Sequence, residues 1–172
     1  MLTAALDNTC RATGVSAQKP MAVRMLEQKR IRHEVFAFDD AIRSAVEVAR
    51  ETGVPAEQVL KTLVVEQEPP RGKPYLVMMP ASLEIDLKAL AASLGVKKLT
   101  MASHRDAERH TGLQVGGISA LALIGKGFTV LIEETATLFD DVLVSAGQRG
   151  YDVRLATEDL ITLTGARAIR AC

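Results

Sequence analysis

At 172 residues the chain is long enough to bury the core of one domain, and 48% hydrophobic with 24% charged residues is the balance of a globular fold. Lys plus Arg and Asp plus Glu each number 21, so the formal net charge is zero, which excludes a protein that coats nucleic acid through overall basicity. Aromatic residues make up 3% and Trp is absent, which excludes base recognition by broad stacking.

Cys10 and Cys172 lie near opposite ends and give neither a metal spacing nor a disulfide framework. His104 and His110 lack the spacing of a helical ligand pair, so no metal site is expected, and nothing calls for a cofactor. No apolar run reaches membrane-spanning length, and the start shows no basic segment followed by an apolar one. A cytoplasmic, reducing location without membrane association is the expectation.

Residues 1–18 read as a flexible leader with weak helical character over Leu2–Leu6, and residues 19–172 as a single domain. Pro20 opens a helix over Met21–Gln28 with Ala22, Met25 and Leu26 on its apolar face. His33–Phe38 alternates as a strand. Ser44 and Glu47 form a capping box for a helix that stops at Gly53. Pro55 starts a short helical turn that feeds Val59–Val65, the most apolar short run of the chain. Pro69–Pro74 is a turn, and Tyr75–Met79 returns as an antiparallel strand. Asp86 caps a helix closed by Gly95; Lys97–Met101 is a short strand; Ser103 caps a polar helix that ends at Gly112. Strands at Thr129–Glu133, Asp141–Val144 and Val153–Ala156 follow, then a helix from Thr157, as N-cap, to Leu163. Interleaved helices and hairpin-linked strands predict an α/β fold of the α+β type: a mixed, mostly antiparallel sheet curled into a partial barrel with helices around it.

One residue interrupts the Val59–Val65 run. Lys61 either runs its stem along apolar surface to reach water or points into a polar pocket that receives an anion or a carbonyl. The Gly116-Gly117-Ile118-Ser119 loop is either an ordinary glycine turn or a set of N–H groups offered to an oxyanion or phosphate. It lacks the dinucleotide fingerprint, and Gly125-Lys126-Gly127 lacks the Ser or Thr of a phosphate-binding P-loop. The stretch Val144–Gly150 reads as a second glycine-bearing loop. Ser145 there has no nucleophile-elbow context, so its ordinary role is a turn or backbone cap. The ordinary role of Asp152 is a surface ion pair with Arg149 or Arg154.

Five segments in order carry a resemblance: Met21–Leu26, Val59–Val65, Glu84–Ala91, Thr111–Ser119 and Val144–Gly150. Across about residues 20–165 the chain resembles the YbaK family, free-standing relatives of the editing domain inserted in bacterial prolyl-tRNA synthetases. The resemblance implies a trans-editing aminoacyl-tRNA deacylase and, from the Lys61-Thr62 pair, Cys-tRNA(Pro) as substrate. It implies that Lys61, Gly116 and Asp152 serve catalysis, and that Phe38, Thr62, Gly117, Ser119 and Ser145 bind substrate. It also implies tRNA as partner through its aminoacylated 3′ end, and prolyl-tRNA synthetase as a protein partner. For a cysteinyl ester it implies attack by the substrate's own thiol, which fits the lack of a Ser-His-Asp or Cys-His set.

Two departures stand out. Phe38 takes a position often held by Tyr, and the usual Ser-Pro-x-Gly loop reads Ser119-Ala120-Leu121-Ala122-Leu123-Ile124-Gly125, more apolar and without the Pro. Three other readings follow from the residues: a deacylase for alanyl or seryl esters, a non-catalytic module that holds tRNA ends or prolyl-tRNA synthetase, and a small-molecule domain using Lys61 for a carboxylate. RNA contact is expected from a local patch drawn from Lys61, Lys97, Lys98, Lys126, Arg149 and Arg154.

Overall fold

Strand β2, Val59–Gln67, is the hub of the sheet and the only strand hydrogen-bonded to three others in the described part of the chain. The computed structural model describes residues 18–172, so the proposed leader lies almost wholly outside the described residues. The β2–β3 pairing expected from the two apolar runs is present: β3, Tyr75–Pro80, is antiparallel to β2 with Lys61 opposite Met79. The eight strands of the described residues run in the order β1-β7-β6-β2-β3-β5-β8, with β4 paired to the end of β2. The remaining strands are β1 (His33–Ala37), β4 (Leu99–Met101), β5 (Thr129–Glu133), β6 (Asp141–Gln148), β7 (Tyr151–Ala156) and β8 (Arg167–Ile169). Four pairings are antiparallel and three parallel. The expected mixed sheet with helices around it is formed, and it stops short of closing into a barrel.

Among the described residues five helices cover it: α1 (Met21–Gln28), α2 (Ala45–Thr52), α3 (Leu87–Leu94), α4 (His104–Thr111) and α5 (Thr157–Thr164). Their ends obey local chemistry. Ser44 and Glu47 make the full capping box on α2, Asp86 accepts from the Lys88 and Ala89 N–H groups of α3, and Ser103 caps α4. Gly53, Gly95, Gly112 and Gly165 close four helices in the left-handed conformation. Thr157 is not the cap of α5 but its first residue; its hydroxyl donates to the Phe139 carbonyl at 2.6 Å, tying the helix to the segment before β6. The segment after Pro55 is a turn closed by the Gln58 N–H on the Pro55 carbonyl, too short to add a helix.

The period of two in β2 sorts its side chains. Leu60 and Val64 enter the main core, with Ala22, Val23 and Leu26 of α1 and Leu160 of α5. On the other face Val65 joins a second core under α3, with Val77, Met79 and Leu90. Val59, at the far end of that face, joins a third under α2, with Phe38, Val48 and Leu143. Lys61 stands on this second face between the two helical covers.

Candidate functional site

A cleft of about 400 Å³ opens at the start of β2, where the sheet forks. The parallel ladder between β2 and β6 holds only Val59 to Leu143 and Leu60 to Val144, and β2 does not pair with β4 until Val65. Between these points β6 leaves β2 and turns with β7 into a hairpin. Lys61, Thr62 and Leu63 line one side of the gap, and Ser145 and Asp152 line the other. Val115, Gly116 and Ile118 form a third wall, and Arg43, Ser44 and Val48 a fourth, at the start of α2.

Lys61 is half-buried, and its ammonium donates to the Leu83 carbonyl at 2.6 Å. It therefore lines the cleft with its ammonium met by a backbone carbonyl. An ammonium has three N–H donors, so one bond to Leu83 leaves two for a ligand. The next residue, Glu84, also borders the cleft.

Asp152 corrects the surface ion-pair expectation. It is only 6% exposed, and Arg154 instead holds Asp141 at 2.6 Å, while the Arg149 guanidinium donates to the Val115 carbonyl at 2.7 Å. Loss of water pushes the Asp152 carboxyl up to about 7, with no cation or hydrogen bond among the described residues offsetting it. A carboxyl poised at that value can take or give a proton at neutral pH.

The stretch Val144–Gly150, expected as a loop, is mostly hairpin. Ser145 lies in β6 opposite Asp152, and a bulge follows between Ser145 and Gln148. The Ser145 hydroxyl accepts from the Gly147 N–H at 3.3 Å, so it caps the bulge and lines the cleft at once. Gly150 sits at φ +78°, and an added Cβ would stand 2.7 Å from the Phe38 carbonyl oxygen. Only glycine lets β7 approach the end of β1 this closely.

The other candidates fall just behind the walls. Phe38 packs in the core under α2, its N–H on the Gly150 carbonyl, and Gly117 is pressed against the backbone of Gln148 and Arg149. Ser119 is buried with its hydroxyl accepting from the Ala122 N–H. The apolar departure that follows it becomes a short 3-10 helix, Leu121–Leu123, whose leucines enter the main core. The cleft wall reaches Ile118 and no further along this segment, so the substituted residues support the wall from behind. Arg43 and Glu84 line the cleft without having been singled out. Both come from irregular segments, where no periodicity marks which side chains converge. Among the described residues no three His, Cys, Asp or Glu side chains gather as a metal site would require, and no helix is long and apolar enough to cross a membrane.

The profile of the aminoacyl-tRNA editing domain matches residues 39–163, a span that contains every cleft residue named above. A protein of Enterococcus faecalis (strain ATCC 700802 / V583), EbsC, provisionally named a Cys-tRNA(Pro)/Cys-tRNA(Cys) deacylase, is 34% identical over 152 residues, covering 87% of this chain and 91% of EbsC. A proline–tRNA ligase of Limosilactobacillus fermentum (strain NBRC 3956 / LMG 18251) is 28% identical over 107 residues, where the match takes in 61% of this chain but 18% of the ligase. A crystal structure described provisionally as a trans-editing enzyme for prolyl tRNA synthetase superposes with TM-score 0.74 at 22% identity, over 90% of this chain and 98% of that one. The hypothetical protein APE2540 superposes with TM-score 0.76 at 19% identity, over 87% and 97%. At those identities the two structures speak to the fold.

Proposed function

This chain belongs to the aminoacyl-tRNA editing domain family, and on that premise we propose that it is a trans-editing deacylase that removes cysteine from Cys-tRNA(Pro). The observation that carries the reading is the fork of the sheet. It brings a cation, a glycine-bearing loop and a carboxyl near pKa 7 around one open cleft, whose described lining holds no Cys and no His. Such a site can position an ester and move a proton.

Lys61 binds the terminal phosphate or the ester carbonyl with the donors that Leu83 leaves free. Gly116, at φ +91° and without a side chain, lets the backbone approach the carbonyl where negative charge develops. The substrate's thiol sulfur attacks the ester carbon. The C–S bond forms and the bond to the ribose 3′ oxygen breaks. Asp152 accepts the thiol proton and returns it to the departing oxygen, leaving cysteine thiolactone and free tRNA. Thr62 and Ser145 shape the pocket. The EbsC name favours cysteine over alanine or serine, and a cytoplasmic location follows from a tRNA substrate.

The test is a panel of Cys-tRNA(Pro), Ala-tRNA(Pro) and Pro-tRNA(Pro) with acid-quenched product analysis. Rapid loss of cysteine as thiolactone, with alanine and proline retained, is the expected result, because only cysteine carries its own nucleophile. Comparable release of alanine would replace the thiol step with attack by water and make the protein a general small-residue deacylase.

A further inference from the structure

The register of the strands gathers a second set of cations at the end of the sheet away from the cleft. Arg71 and Lys73 lie in the β2–β3 connection. Lys97 and Lys98 enter β4, whose Leu99 pairs with Gln67 at the end of β2. Lys126 precedes β5, whose Thr129 pairs with Tyr75 at the start of β3. Direct contacts join these segments: the Lys73 ammonium donates to the Lys126 carbonyl and lies 5.0 Å from the centre of the Phe128 ring, and Lys98 meets Glu68 at 2.8 Å. All five cations are exposed, and among the described residues Lys98 alone of them has a carboxylate partner. Glu66, near the end of β2, is engaged by His110 at 2.8 Å. A chain with zero net charge thus carries a local excess of positive charge at one end.

We propose that this end of the sheet, formed by Arg71, Lys73, Lys97, Lys98 and Lys126, is a second RNA-binding surface that holds the phosphates of the substrate's acceptor-stem duplex while the aminoacylated 3′ end enters the cleft. The proposal rests on the deacylase reading for its substrate. The spacing fits: from Lys61 to Gln67 strand β2 covers about 20 Å at about 3.3 Å per residue. Stacked nucleotides advance about 3.4 Å each, so about six stacked nucleotides, or fewer in an unstacked and extended strand, bridge that distance and deliver the first duplex phosphates to the cations. The composition favours RNA over protein, because lysine is depleted in protein–protein interfaces and suits the sequence-independent charge of a phosphate backbone. It also divides the basic patch expected from the sequence: Lys97, Lys98 and Lys126 belong to this surface, Lys61 to the cleft, and Arg149 and Arg154 are engaged by Val115 and Asp141.

The experiment compares the wild type with the triple variant Arg71→Gln, Lys73→Gln, Lys97→Gln on two substrates: full Cys-tRNA(Pro), and a short cysteinylated oligonucleotide that carries the single-stranded 3′ end alone. On the full tRNA the variant is expected to raise KM at least about tenfold with kcat unchanged, and to lower the slope of log affinity against log salt by about one per cation removed. On the short substrate kcat/KM stays at the wild-type value, which shows that the cleft is intact. Equal losses on both substrates, or none on the full tRNA, overturn the proposal. If the wild type cleaves neither, the deacylase reading has failed. Binding of uncharged tRNA then decides the surface: a shallower salt slope in the variant upholds it and an unchanged slope overturns it. Unaltered tRNA binding with lost binding to prolyl-tRNA synthetase would reassign the surface to a protein partner.

Discussion

Asp152→Asn is expected to yield a protein that is more stable at neutral pH and at least about a hundredfold slower in deacylation, the usual scale for losing a positioned acid–base group. The two effects share one cause. Burial raises the carboxyl from its ordinary 3.8 to about 7. Between about pH 4 and 7 the unfolded chain has this carboxyl ionised, while the folded protein keeps it protonated. The folded state then binds more protons, so stability falls as pH rises through this window and levels off above it. At 1.36 kcal/mol per pH unit the buried charge costs about 4 kcal/mol above pH 7. Asn removes that charge but leaves a buried amide short of partners, at about 1–2 kcal/mol, so a net gain on the order of 2 kcal/mol is expected. Melting curves at pH 4 and pH 7.5 check the sign: the variant gains over the wild type at the higher pH and not at the lower. The wild-type rate should rise with pH through an inflection near 7, and the variant should show none. Equal stability at both pH values would remove the buried charge from the account.

Gly117→Ala is expected to damage both fold and activity, through backbone. The added Cβ would stand 2.8 Å from the Arg149 nitrogen and 3.0 Å from the Gln148 carbonyl carbon. Neither atom belongs to a side chain that can rotate away, so the Gly116 loop and the β6–β7 hairpin must separate. Overpacking of this kind costs about 1–3 kcal/mol, which lowers Tm by roughly 2–4 °C per kcal/mol in a chain of this size. The same shift parts Gly116 from Ser145 and Asp152, and misplacements approaching 1 Å cost up to about a hundredfold in rate. Gly112→Ala is the control. It closes α4 at φ +70° with nothing among the described residues within 4 Å of an added Cβ, so it should cost about 1–2 kcal/mol of backbone strain and leave kcat/KM unchanged. Matching activity losses in both variants would mean that the contact across the hairpin has no special role.

What could be read from the sequence follows from how local the signal is. The caps at Ser44, Asp86 and Ser103, the glycine stops and the β2–β3 pair were legible because each is written in a few neighbouring residues. Strand β8 was not: Arg167–Ile169 is too short for a period, and it is a strand only because β5, distant in the chain, lies beside it. Gly147 and Gly150 looked like loop residues, yet they make a bulge and a tight turn within one hairpin. Lys61 was conspicuous as the one charge in an apolar run. The burial of Asp152 was hidden, since Arg149 and Arg154 flank it in sequence while their guanidiniums are engaged elsewhere. Arg43 and Glu84 reach the cleft from irregular segments, a convergence that exists only in three dimensions.

The central claim is that an aminoacyl ester is cleaved in the cleft at the fork of the sheet, with Lys61 holding it. Single-turnover release of cysteine from Cys-tRNA(Pro), by the wild type and by Lys61→Met, tests this most directly. Met keeps the apolar stem and removes the ammonium, so the fold should survive, as a melting curve would confirm. The expected result is rapid release by the wild type and a loss of at least about a hundredfold in the folded variant. Release at the wild-type rate by a folded Lys61→Met protein would contradict it and place the chemistry elsewhere.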